Sequence, residues 1–183
     1  TAKRLGGKLE YQGYHVEECY AWAALPSVTS TGKPAVSPVK NKISGPDVST
    51  DFEPIVKESG QTLKGGSALK KLLQKDGWEI LDQSSFGNGK GHAWTEAGKI
   101  DHEGHDKEAE LAIYLENILL AICTRIQNLL KSGWKSVHIV TDHGWLLLPD
   151  GLPKSELPAI LTSTKWGRCA AIKEGADTEE HLY

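Results

Sequence analysis

Apolar residues recur at intervals of three and four along one stretch: Leu111, Leu115, Ile118, Ile122, Ile126 and Leu129. That spacing lines one helix face and predicts an α-helix from about Lys107 to Lys131. Asp106, Glu108 and Glu110 stand near its positive end and Lys131 near its negative end, as the macrodipole favours, and Gly133 stops it. Val137 to Thr141 follows as a short β-branched run, the pattern of a buried parallel strand. Helix, tight turn and strand make half of a βαβ unit. The expected fold class is therefore α/β, a mainly parallel sheet flanked by helices.

The rest of the chain has weaker periods. Thr1 to Tyr11 reads as the end of a helix, with Leu5 and Leu9 on one face and Gly6 and Gly7 weakening it. Tyr14 to Tyr20 alternates like a strand and runs through Ala21 to Leu25 into a turn at Pro26 to Thr29. Thr31 to Gly66 is rich in Pro, Gly, Ser and Lys, which predicts a mobile or inserted loop. Ser67 is placed to cap a short helix carrying Leu69, Leu72 and Leu73, ended by Gly77, with a strand at Trp78 to Leu81. Pro149, Pro153 and Pro158 break up the following stretch before a further strand at about Gly167 to Lys173.

Composition changes this picture little. With 183 residues, 39% hydrophobic and 25% charged, the chain suits one domain with a sizeable core. A net charge of -3 gives no general pull toward nucleic acid or an anionic membrane. No apolar run is long enough to span a bilayer, and Thr1 to Lys8 lacks the pattern of a secretory signal. Cys19, Cys123 and Cys169 are odd in number and widely spaced, so they read as buried structural thiols in a cytoplasmic setting. The absence of Met and the helix-like opening read as a piece of a longer protein.

Three features carry candidate chemistry. Asp142-His143-Gly144 directly follows the Val137 to Thr141 run. Ligands gather outside the carboxyl ends of strands in α/β sheets, and carboxylate beside imidazole suits zinc or manganese. Alone, the pair reads as a loop in which Asp caps a turn and His packs on Trp145. Asp101-His102-Glu103-Gly104-His105 presents Asp and His four apart, on one face if helical and folded together by Gly104 if looped. Its plainer reading is a solvated helix start, with His102 and Glu103 at the surface. Pro26-Ser27-Val28-Thr29-Ser30-Thr31 is a hydroxyl-rich turn; such turns cap helices and also hold activated nucleophiles.

In order and spacing this set resembles the alkaline phosphatase superfamily: a hydroxyl nucleophile, an Asp-x-x-x-His pair, then an adjacent Asp-His. More closely, it resembles the PglZ domain of bacteriophage-exclusion (BREX) defence systems. The carrying stretches are Ala23-Ala24-Leu25-Pro26-Ser27-Val28-Thr29 and Val140-Thr141-Asp142-His143-Gly144-Trp145-Leu146-Leu147-Leu148-Pro149. The second continues through Gly151-Leu152-Pro153-Lys154 to Trp166-Gly167-Arg168-Cys169.

The resemblance implies an alkaline-phosphatase-like fold cut at both ends, and a phosphatase or phosphodiesterase with two divalent ions, zinc first and manganese or magnesium as alternatives. Asp142 and His143 would hold the ion that contacts Thr29, and Asp101 and His105 the other. Thr29 would attack phosphorus, with Ser27 as its rival. Another Asp before the nucleophile and a third His near the end are expected outside this chain; His181 lacks the Gly-rich setting for that role. The isolated segment is accordingly expected to bind metal poorly and to be inactive. Substrates would be phosphate esters, including nucleotides or nucleic acid, and partners the other BREX proteins. The alternative is a non-catalytic interaction module with the same fold. A sulfatase-like site is disfavoured, because no Cys-x-Pro-x-Arg setting occurs. His15 and His138 read as packing histidines, His92 as a neighbour of the Asp101 site, and Lys33, Lys165 and Arg168 as surface or structural cations, with contact to a phosphate as the alternative.

Overall fold

The computed structural model describes residues 1–47, 51–98, 100–107, 110–144, 162–165 and 169–175. These form two compact units. One gathers Thr1–Trp22 and Gly77–Ile139; the other gathers Ala23–Asp76, Val140–Gly144 and the described residues from 162 on. Helix and strand are mixed, with a small parallel ladder, as an α/β reading requires. No described helix is long and apolar enough to cross a membrane.

The first unit is built on helices α1 (Ala2–Tyr11), α4 (Ile100–Lys107) and α5 (Leu111–Lys131). Leu5 and Leu9 of α1 meet Leu119, Cys123 and Ile126 of α5 in its core, with Tyr14, Val16, Leu115, Ile122, Leu130 and Val137 packed around them. Leu119 and Cys123, both fully buried, lie at the centre rather than Ile118 and Ile122. A period specifies a broad apolar face, and the helix packed against it selects the centre. The long helix begins at Leu111, later than its pattern suggested, and Gly133 ends it with φ 103. Glu108 lies outside the described residues.

Strands β3 (Glu79–Leu81) and β4 (Ala93–Thr95) form the parallel ladder, Ile80 opposite Trp94. Arg125 of α5 clamps its connection. One Nη donates to the Gln83 carbonyl, while the other donates to Asp82 and Ser85 carbonyls and to the Thr95 hydroxyl.

In the second unit, the described residues of Thr31 to Gly66 include regular elements. They form most of α2 (Thr29–Val36), a 3-10 turn at Lys40–Lys42, and the antiparallel hairpin of β1 (Ile43–Asp47) and β2 (Glu53–Val56). Val39, Phe52 and Leu63 are too widely spaced in sequence to show a period, yet all are buried. Helix α3 (Gly65–Lys75) starts before Ser67, because the Glu53 carboxylate accepts the Gly65 N–H at 2.8 Å and does the capping. Strands β5 (Thr162–Lys165) and β6 (Ala170–Ile172) pair antiparallel. Of the three described ladders only β3–β4 is parallel, so the mainly parallel sheet is not what these residues form.

Two expected strands are corrected. Tyr14 to Tyr20 and Val137 to Thr141 join no ladder among the described residues. Alternation fixes which side chains share a face but not which strand pairs with them, and an unpaired strand is not stable. Tyr14, Val16 and Val137 still pack on the α5 cluster, whereas Tyr20, Trp22, Ile139 and Val140 are exposed.

Candidate active site

Thr29 is the first residue of α2, just past the turn at Pro26, where the Val28 N–H donates to the Pro26 carbonyl at 2.8 Å. Val28 anchors the turn from below: it is buried against Phe52 and Ala171. The next hydroxyls are committed to the fold. Ser30 donates to the Asp51 carbonyl at 2.8 Å and Thr31 to the Phe52 carbonyl at 2.6 Å. Thr29 stays exposed, whereas Ser27 is half-buried.

Asp142 and His143 come to the same helix end. An added Cβ on Gly32 would stand 2.5 Å from the Asp142 carbonyl oxygen, so only glycine lets the loop lie this close. Sequence reading missed Gly32; its signal is a residue without a side chain three positions after Thr29, on the same helical face. The His143 ring is 5% exposed, with Nε2 3.8 Å from Asp142 Oδ2. Thr29 Oγ1 lies 3.4 Å from that nitrogen.

The ring's other nitrogen, Nδ1, is 3.1 Å from the Gly144 carbonyl oxygen. A carbonyl can only accept, so the proton is assigned to Nδ1 and, in the neutral ring, a lone pair to Nε2. Histidines that bind metal are fixed in this way. Carboxylate, fixed imidazole and hydroxyl thus form a donor set that fits a divalent ion of borderline softness. Among the described residues no three His, Cys, Asp or Glu side chains gather as a metal cage; those of this unit bring Asp142 and His143 beside Thr29.

Asp101 and His105 lie on α4 in the other unit, one turn apart, Asp101 exposed and the His105 side chain outside the description. The segment is helical, which selects the shared-face alternative over a Gly104 loop. His15 and His138 are exposed, not packed, and the segments that carry them join no ladder among the described residues. The His92 ring stacks on Trp78 at 5.0 Å between centroids. Cys123 is buried as expected, and burial raises its thiol pKa, but Cys19 is exposed and Cys169 half-buried. No disulfide joins them. Residues 145–161, Arg168 and His181 lie outside the described residues, as does the Lys165 side chain.

Comparison of the chain with protein-family models, with curated proteins and with solved structures returns no match.

Proposed function

We propose that the chain carries part of a metal-dependent phosphatase or phosphodiesterase site of the PglZ type, with Thr29 as the nucleophile. One observation carries the proposal: an exposed threonine hydroxyl at a helix start faces the Nε2 of a buried histidine whose Nδ1 is tied to a carbonyl, next to a carboxylate. The motif order supports it independently. The reading brings with it an alkaline-phosphatase-like fold, a phosphate ester or nucleotide as substrate, and a place among the proteins of a bacterial anti-phage system.

Thr29 sits where the α2 dipole favours negative charge, so a phosphoryl group and a developing alkoxide are both stabilised there. Its oxygen attacks phosphorus in line, the ester alcohol leaves, and hydrolysis of the phosphothreonine restores the hydroxyl. Buried His143 and the seat of Asp142 on Gly32 hold the ligands rigid. A divalent ion held by Asp142 with His143 would neutralise phosphoryl charge and acidify the Thr29 hydroxyl, and Asp101 with His105 would hold the second ion that the motif order implies. The greater exposure of Thr29 favours it over Ser27.

The test uses the full-length protein, comparing wild type, Thr29→Ala and Asp142→Ala for bound metal and for hydrolysis of a chromogenic monoester and diester. Asp142→Ala is expected to lose metal and activity, and Thr29→Ala to keep metal and lose turnover. Unchanged activity in both variants sinks the assignment. A wild type that binds metal but cleaves neither ester points to the interaction module instead.

A further inference from the structure

An open groove of about 580 Å³ runs between α1 and α5 of the first unit. The two helices lie parallel: Arg4 and Lys8 both pair with Glu116, and further along both helices Gln127 donates to the Gln12 side chain at 3.0 Å. Gly7 lines the groove from the middle of α1, where glycine is a poorer helix former than alanine. A Cβ on Gly7 would meet nothing within 4 Å, whereas one on Gly6 would collide with the Glu18 carboxylate. Packing within the described residues thus accounts for Gly6 and leaves Gly7 open. The apolar side chains beside it are open too, Leu120 being 56% and Tyr11 93% exposed. Ile113, also exposed, lies seven residues before Leu120 and extends that face along α5. The rim is cationic. Lys3, Arg4 and Lys8 stand around one carboxylate, Glu116, and the Lys3 ammonium has no carboxylate partner among the described residues.

We propose that this groove docks an acidic amphipathic helix of a protein partner. Its apolar side chains sit over Gly7 between Leu120 and Tyr11, and its carboxylates meet Lys3 and the Arg4–Lys8 pair. Three cations against one carboxylate fix the sign of the partner. Glu116 selects a peptide over a membrane or nucleic acid: a peptide places its carboxylates singly, whereas a dense array of phosphates presses on Glu116. An apolar stripe laid into a groove is how helices are commonly recognised, and a glycine lets the incoming chain approach closely. The groove belongs to the first unit, and its role stands whether or not Thr29 is a nucleophile.

The experiment titrates the full-length protein into two fluorescein-labelled helical peptides and follows anisotropy. One peptide carries Leu and Phe on one face with Glu flanking them; the other has every Glu replaced by Gln. Gly7→Leu, Leu120→Gln and Lys3→Glu are compared with wild type, each checked by thermal melting. The acidic peptide is expected to bind wild type about 10-fold more tightly than the Gln peptide at low salt, a preference that fades in about 1 M salt. Gly7→Leu should melt no earlier than wild type, since its side chain enters open space, yet bind the acidic peptide about 10-fold more weakly. Lys3→Glu should lose about 3- to 10-fold. Leu120→Gln, at an exposed position, removes the apolar wall should Gly7→Leu misfold. No binding of the acidic peptide, equal binding of both peptides, or wild-type affinity in folded Gly7→Leu and Leu120→Gln overturns the proposal. Self-association of wild type in sedimentation, abolished by Gly7→Leu, overturns it in favour of a second copy of this chain. Binding of phosphatidylserine vesicles in place of the peptide overturns it in favour of a membrane surface.

Discussion

The core shared by α1 and α5 and the small cluster beneath Thr29 are built on opposite terms. The first is made of volume: Leu5, Leu9, Leu119, Cys123 and Ile126 fill one space between two helices. In the second, Val28, Phe52 and Ala171 give a modest floor. The rest is close backbone approach at Gly32 and hydroxyls bound to carbonyls. A region made of volume suffers most when atoms are removed. A region made of close approach suffers most when atoms are added.

The largest expected effect tests the first half of that contrast. Leu119 is fully buried, so Leu119→Ala removes apolar area and leaves a cavity that the helices close only partly, at a cost of about 2 to 5 kcal/mol. Urea unfolding followed by helix signal measures it. A loss under about 1 kcal/mol would mean that α1 and α5 slide together and that this core is not volume-limited.

The second half is tested at Gly32. Alanine is the better helix former by about 1 kcal/mol, so substitution in an open helix would stabilise. Here the new methyl meets the Asp142 carbonyl oxygen at 2.5 Å, a backbone atom that cannot swing aside. Overpacking of this kind costs about 1 to 3 kcal/mol, or the loop moves. Either way Gly32→Ala should displace His143 from Thr29 and depress turnover well beyond any change in melting. Enhanced stability with wild-type turnover would show that the loop does not depend on this seat.

These two regions also differ in how far the sequence revealed them. The α5 stripe was legible because a helix repeats its contacts every turn; only its centre, Leu119 and Cys123 rather than Ile118 and Ile122, depended on where α1 lies. Thr29, Asp142 and His143 were legible as residue types in order. Their juxtaposition was not, since it depends on Gly32 accepting a loop from more than a hundred residues away. The elements within Thr31 to Gly66 were not legible for a related reason: Val39, Phe52 and Leu63 are buried without a period along the chain. The Tyr14 and Val137 segments show the reverse error, a clear β pattern that finds no ladder among the described residues.

The smallest expected effect separates charge from volume inside the first region. Lys8 Nζ of α1 lies 2.6 Å from Glu116 Oε2 on α5, and Arg4 pairs with the other oxygen. The hydrogen bond from Lys8 first, with the charges of Arg4 and Lys8, holds the Glu116 carboxyl below its ordinary value. A depressed folded pKa means that the unfolded chain takes up the proton more readily. The stabilisation is therefore fully present above the ordinary glutamate value of about 4.3 and fades as pH falls through the lower, folded value. The Glu116 side chain is 43% exposed, so water and salt screen the pair and its contribution is small. Glu116→Gln should melt slightly earlier than wild type at neutral pH and low salt. The difference should shrink on acidification below about pH 4 and in about 1 M salt. A difference that survives both would place the contribution in the packing of the side-chain stem against α1, making this contact one more case of volume.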